Sequence, residues 1–229
     1  DEALQSFNYD VEVNFSRPQR IDQLEREARE VPGVAIAEGV GAATVRRLRP
    51  DGNEGKNAFL LAMPAQSKLI APTLIEGRWL LPDDENAVVV NTLWLKDEPD
   101  VRVGNTITMK LDGRDTDWKV VGIVRGVMTG PIVYANRPYF THISRGGART
   151  GGLWVVTERH DVEYVNQVTK AMEDHFKVIG MRVSNTQTIA SIRSMVEGQF
   201  DIIIVFLLIM AVLLALVGGL GLMGTMSLN

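Results

Sequence analysis

The sequence predicts an α+β chain: two βαβ halves forming an α/β-sandwich subdomain, an inserted small β-rich subdomain, and then a stalk and a transmembrane helix. Three observations predict it. Strand-like alternation and helical spacing follow one another near both ends of the folded part. Short strand and turn signals fill the middle. Every charge lies in residues 1–201, and residues 202–228 carry none. The expected boundaries are 1–70 with 150–185 for the split α+β subdomain, 71–149 for the insert, 186–201 for the stalk helix and 202–229 for the membrane helix.

The first half opens with residues 9–15, where Tyr9, Val11, Val13 and Phe15 share one face of a half-buried strand. Ile21, Leu24, Ala28 and Val31 then recur at helical spacing, and Pro32-Gly33 stops the helix. Residues 34–37 and 43–48 are strand-like. Asp51-Gly52 turns the chain into a strand over 58–63. The middle segment offers strands over 87–91, 106–111 and 118–124, with Asp112-Gly113 as a hairpin turn. The loop 144–152, SRGGARTGG, is glycine-rich and basic. The second half returns with a strand over 153–157 and a helix capped by Asp161 that carries Val162, Val165, Val168, Met172 and Phe176. Gly180 ends that helix and a strand resumes over 181–184. Both helices are expected on one face of the sheet.

Residues 202–228 form an uncharged run of 27. A bilayer core of roughly 30 Å needs about 20 helical residues, so the run is long enough to cross. Gly218, Gly221 and Gly224 recur every third residue and mark a face for close packing on another membrane helix. Ile189, Ile192, Met195, Val196 and Phe200 keep helical spacing just upstream. One helix is therefore expected over 187–228, about 60 Å long at 1.5 Å per residue, with half of it standing out of the lipid as a stalk. The chain stops at Asn229 without a flanking Lys or Arg. That leads to the expectation of a truncated fragment whose orientation charge does not set. Asp1 opens without the basic and apolar regions of a signal peptide, so export is expected to depend on an upstream part.

The net charge of −4 implies no nucleic-acid partner. Arg46, Arg47 and Arg49 are expected along a solvated strand edge. The absence of cysteine excludes disulfides, thiolate zinc sites and thiol nucleophiles.

Three segments carry a resemblance to a known family. They are Glu76-Gly77-Arg78-Trp79-Leu80 with Asp83-Asp84-Glu85-Asn86-Ala87-Val88-Val89-Val90-Asn91; Val103-Gly104-Asn105-Thr106-Ile107-Thr108 answered by Trp118 to Val124; and the membrane entry over 206–229. In this order they resemble permease subunits of MacB- and FtsX-type ABC transporters, whose large outer domain lies between the first and second membrane helices. The resemblance implies a cell-membrane protein with residues 1 to about 200 extracytoplasmic. Its implied partners are a cytoplasmic ABC ATPase, a second permease copy in a dimer, and an adaptor or outer partner protein. It also implies ATP-driven motion passed outward through the stalk, in efflux or export. The substrate is left open, because lipoprotein release and cell-division roles occur among such permeases.

No enzyme is expected in this chain. Gly39-Val40-Gly41 mimics a dinucleotide loop but is followed by a strand, not the helix such a loop requires. Gly52 to Lys56 lacks the spacing of a phosphate loop. His142, His160 and His175 form no metal-binding pair, so no metal or cofactor is expected. His160 beside Asp161 suggests a catalytic pair less than a loop residue beside a helix cap. Partner contacts are expected at Tyr134, Arg137, Tyr139 and Arg145, as exposed aromatic and Arg positions on loops of the insert. A buried core role for the two tyrosines stands equally beside that. The rival function is a membrane-anchored ligand- or peptide-binding module with a pocket between the subdomains.

Overall fold

A computed structural model describes residues 7–126, 130–191 and 205–215. Residues 1–188 form one compact unit and 189–229 a second. In the first unit the strands are β1 (Val11–Arg20), β2 (Val34–Leu48), β3 (Glu54–Met63), β4 (Leu74–Gly77), β5 (Ala87–Asn91), β6 (Thr106–Leu111), β7 (Arg114–Val124), β8 (Ile132–Asn136), β9 (Arg149–Thr157) and β10 (Val183–Thr188). The helices are α1 (Ile21–Arg29), α2 (Thr92–Asp97), α3 (Arg137–Ile143) and α4 (Val162–Val178). The strands join in the order β10-β1-β9-β2-β3-β8-β5-β7-β4, with β6 pairing β2 and β7.

Two cores hang on this sheet. In one, Val11, Val13, Phe15, Leu153 and Val155 point from β1 and β9 toward Leu24 and Ala28 of α1 and Val165, Val168, Met172 and Phe176 of α4. The period of two along the strands meets the 3.6-residue period of the helices, so each apolar stripe buries the other. Asp161 caps α4 by accepting from the Tyr164 amide at 3.1 Å, as expected. In the other core, Val45, Ala58, Leu60, Val88, Val90, Trp94, Ile107, Met109, Trp118, Val133 and Phe140 come together. The second lobe thus begins inside β2 and includes β3, rather than starting near residue 71.

The 15-residue strand β2 belongs to both lobes. Val34 to Val40 pair with β9, and Gly41 to Leu48 pair with β3 and β6. The two strands expected over 34–37 and 43–48 are therefore one. Its small residues at the crossover answer to close neighbours. A Cβ at Gly39 would lie 2.9 Å from Ile21 Cγ2, and one at Gly41 would lie 2.8 Å from the Phe140 ring. The glycines of this dinucleotide-loop mimic are packing glycines in a strand.

Elements absent from the sequence expectation are β4, β8, α2 and α3. β8 lies between β3 and β5 and is buried along all five residues, so it shows no alternation. Asn91 closes β5. Its Oδ1 accepts from the Trp94 and Ile132 amides at 2.9 and 3.1 Å, and its Nδ2 donates to Gly130 O at 2.7 Å.

The stalk expected from residue 186 starts later, because Thr186 and Thr188 pair with β1 as part of β10. The chain turns helical directly after β10, at 189–191, and the rest of the stalk lies outside the described residues. In the second unit, residues 205–215 are helical with exposed side chains. Among the described residues no helix is long and apolar enough to cross a membrane. Gly218, Gly221 and Gly224 lie outside the described residues.

Candidate functional site

The lobe junction is the region where elements of both lobes converge. Arg137, the first residue of α3, reaches back from the β-rich lobe. Its Nη1 donates to Glu25 Oε1 of α1 at 2.5 Å and to Gly39 O of β2 at 2.8 Å. Glu25 Oε1 also accepts from the Gly39 amide at 2.9 Å. One carboxylate therefore binds the shared strand, the helix of the first lobe and the helix of the second. Both side chains are mostly buried, Glu25 at 14% and Arg137 at 19% exposure. Charge-assisted bonds of this kind are about twice as strong as neutral ones.

This placement corrects the exposure expected of Arg137, which is in α3 rather than on a loop and is held by its own chain. Tyr134 is a strand residue of β8 at 6% exposure, its ring 5.4 Å from Trp79. Burial pushes its hydroxyl up to about 12. Tyr139 lies in α3, packs against the β-lobe core and meets Trp118 edge-on at 5.3 Å. Tyr134 takes the core role, and Tyr139, half-buried, packs against the edge of that core. Arg145 alone of the four lies on an exposed loop, anchored by its amide on Asp112 Oδ2 at 2.9 Å. The four residues do not form one exposed patch.

The basic cluster also differs from expectation. Arg47 is buried with Glu98 and grips Asp100 by two bonds of 2.6 Å, and it reaches Glu98 Oε2 at 2.9 Å. Arg49 takes both oxygens of Glu98, at 3.0 and 2.7 Å. The Arg47 guanidinium holds the Asp100 carboxyl at about 2. Arg46, by contrast, is exposed and bridges Glu54 and Asn57. His160 turns to Asp10, whose two carboxylate oxygens are each 3.0 Å from Nδ1, and away from Asp161. Asp83-Asp84-Glu85 is a turn: Asp84 accepts from Arg78 at 2.6 and 2.8 Å and from the Leu81 amide at 2.8 Å. Among the described residues no group of His and acidic side chains could hold a metal ion.

The fold resembles two solved transporter domains. The periplasmic region of MacB from Actinobacillus actinomycetemcomitans superposes with a TM-score of 0.59 at 14% identity, over 86% of this chain and 96% of that one. The extracellular domain of the noncanonical ABC-type transporter YknZ from Gram-positive bacteria gives 0.53 at 12% identity, over 80% of this chain and 100% of that one. This chain has the MacB-type periplasmic fold. The likeness drawn from its sequence segments is borne out at that level. No protein-family model and no curated protein matches the chain in sequence.

Within the MacB-type fold, two of the segments that carried the likeness prove to be turn makers. Gly77 has φ +75°, and a Cβ there would lie 2.3 Å from Val121 O; at Gly122 it would lie 2.1 Å from Arg78 O. Asn136 Nδ2 reaches across to Leu81, Pro82 and Asp84 carbonyls at 2.7 to 3.2 Å. In the second segment the Asn105 side chain accepts from the Arg102 amide at 2.8 Å, and Gly104 turns the chain at φ +90°. These residues build backbone geometry. The Glu25–Arg137 pair spans 112 positions of sequence and left no local signal that could have found it.

Proposed function

We propose that the chain is the extracytoplasmic part of an ABC transporter permease subunit that docks a partner or substrate and relays ATP-driven motion, in efflux or export. The observation that carries this reading is the MacB-type fold, matched over 96% of the solved MacB periplasmic region. Two features of the chain support the relay. Strand β2 runs through both lobes without a break, so a pull on one lobe is felt by the other through backbone hydrogen bonds. β10 leads with no intervening loop into helical backbone at 189. In this reading the uncharged run over 202–228 is a membrane helix, and Gly218, Gly221 and Gly224 pack it on a neighbour. A cytoplasmic ATPase supplies the energy, the permease acts as a dimer, and an adaptor or outer protein docks on the folded head. The chain itself does no enzymatic chemistry.

Residues 1–229 carry no cysteine. In the intact subunit, with any cysteine outside these residues replaced by serine, Lys170→Cys introduces a single thiol on the exposed face of α4. A membrane-impermeant maleimide added to whole cells should label it. Labelling only after the cells are opened would place the head on the wrong side of the membrane. In the reconstituted complex, spin labels on the two copies at this position should change separation between ATP-bound and nucleotide-free states. An unchanged distance would remove the relay and leave the location standing.

A further inference from the structure

A cleft of about 490 Å³ lies at the lobe junction, within the range of small-molecule sites. One part of its wall is apolar: Val40 and Ala42 of the shared strand, Phe59 and Leu61 of β3, and Trp154 of β9. Phe59 is 47% exposed, whereas its neighbours Ala58 and Leu60 are buried. Three charged side chains line the cleft. Two are carboxylates already engaged as acceptors, Glu12 from Asn14 Nδ2 at 3.1 Å and Asp112 from the Arg145 amide at 2.9 Å. The third is Arg149, whose guanidinium makes no hydrogen bond or ion pair among the described residues. Ser144 also lines the cleft, but its hydroxyl oxygen is shut off from solvent.

We propose that this cleft binds an amphiphile with an apolar body and one carboxylate or phosphate group. The apolar body lies on Phe59 and Leu61, and the anionic group meets Arg149. A planar guanidinium matches a carboxylate or phosphate with two parallel bonds, which a neutral head does not reproduce. Because Val40 and Ala42 come from the strand both lobes share, the occupant touches both lobes at once. This assignment stands whether or not the chain relays ATP-driven motion.

The test is calorimetry on the whole chain in nanodiscs of neutral lipid, with empty nanodiscs as the blank. The probes are 2-naphthoate, uncharged 2-naphthamide and inorganic phosphate. Naphthoate should bind saturably at one site, and naphthamide about tenfold more weakly or worse, since a bond to a charged group is lost. Arg149→Glu should weaken naphthoate about tenfold or more and leave naphthamide unchanged. Arg149→Gln should show the same order with a smaller effect, and Lys170→Glu, the same charge change on α4, none. Near-ultraviolet circular dichroism checks that each variant is folded. Equal affinity for naphthoate and naphthamide, no effect of Arg149→Glu in a folded variant, or no saturable heat would each overturn the proposal. Phosphate binding as tightly as naphthoate would reduce the cleft to a bare anion site and overturn it too.

Discussion

Two ion-pair clusters of the protein differ in character. One lies within the β-rich lobe, where Glu98 at 1% exposure is shared by Arg47 and Arg49. The other crosses the lobe junction, where Glu25 is shared by Arg137, Arg29 and a backbone amide. The first fastens the end of β2 to the turn after α2, inside a single core. The second fastens one core to the other. Burial decides what each is for. A carboxylate as enclosed as Glu98 is stable only with its cations in place, so it acts as a structural member of its lobe. Glu25 retains some contact with water, so losing its partner leaves a charge that solvent can still reach.

The largest expected effect follows from that difference. Glu98→Ala leaves Arg47 buried with only Asp100 opposite, and should destabilise the β-rich lobe by about 3–5 kcal/mol. Urea unfolding of the full chain, followed by the fluorescence of Trp94 and Trp118 in that core, measures it. Trp154, in the other lobe, serves as the internal comparison. A loss below about 1 kcal/mol would show that the enclosed cluster is no more structural than an exposed pair.

Gly41→Val addresses the junction without touching a charge. The new side chain meets the Phe140 ring, which is buried and cannot swing away. Overpacking of this kind costs about 1–3 kcal/mol. Because Gly41 sits where β2 passes from one lobe to the other, the loss should appear in the signals of both Trp118 and Trp154. A loss confined to Trp118 would mean that β2 does not couple the cores.

The same contrast explains what could be read from the sequence. An element with one exposed face announced itself: β6 falls at the expected 106–111, and Asp161 caps α4 as expected. β5 and β8 are both buried at all five positions and have no polar side to alternate with; β5 was still legible at 87–91 as the apolar run from Ala87 to Val90, whereas β8 was not. Tyr134, Arg137 and Tyr139 were expected on the surface because they are residue types common at partner contacts, and no alternation marked the buried strand beneath them. Helix α3 instead takes Pro138 in its first turn, where a missing amide proton costs nothing. Arg47 was expected in solvent because arginine is mostly exposed, and only the fold brings Glu98 and Asp100 from about 50 residues away. The cleft residues were hidden for the same reason. Phe59 lies in β3, whereas Arg149 comes from the segment after α3, about 90 residues further along.

Arg137→Met should cost less than the core changes, about 1–2 kcal/mol for the lost charged hydrogen bonds. Its signature is local. Glu25 keeps the Gly39 amide and Arg29, so both cores should keep their unfolding transitions, while the Gly39 amide exchanges faster with deuterium. Uniformly faster exchange across both cores would mean that the junction is part of the global fold, and the distinction between the two clusters would fall.

The smallest effect belongs to the exposed margin of the enclosed cluster. Asp100 is 61% exposed in its side chain, yet Arg47 holds its carboxyl at about 2, below the ordinary value near 4. A carboxyl with a depressed folded-state pKa contributes stability above its unfolded value, and that contribution is lost as the pH falls through the folded one. Its window therefore runs from about pH 4 down to about pH 2. Solvent screening keeps the contribution below about 1 kcal/mol. Asp100→Asn should thus lower stability slightly at neutral pH and flatten the fall between pH 4 and 2, while other carboxylates lowered by their partners, such as Asp84 beside Arg78, continue to titrate in both proteins. The difference between the two acid-unfolding curves isolates Asp100. If the curves stay parallel through that window, the Arg47–Asp100 bonds do not persist in solution, and Glu98 alone neutralises the buried guanidinium.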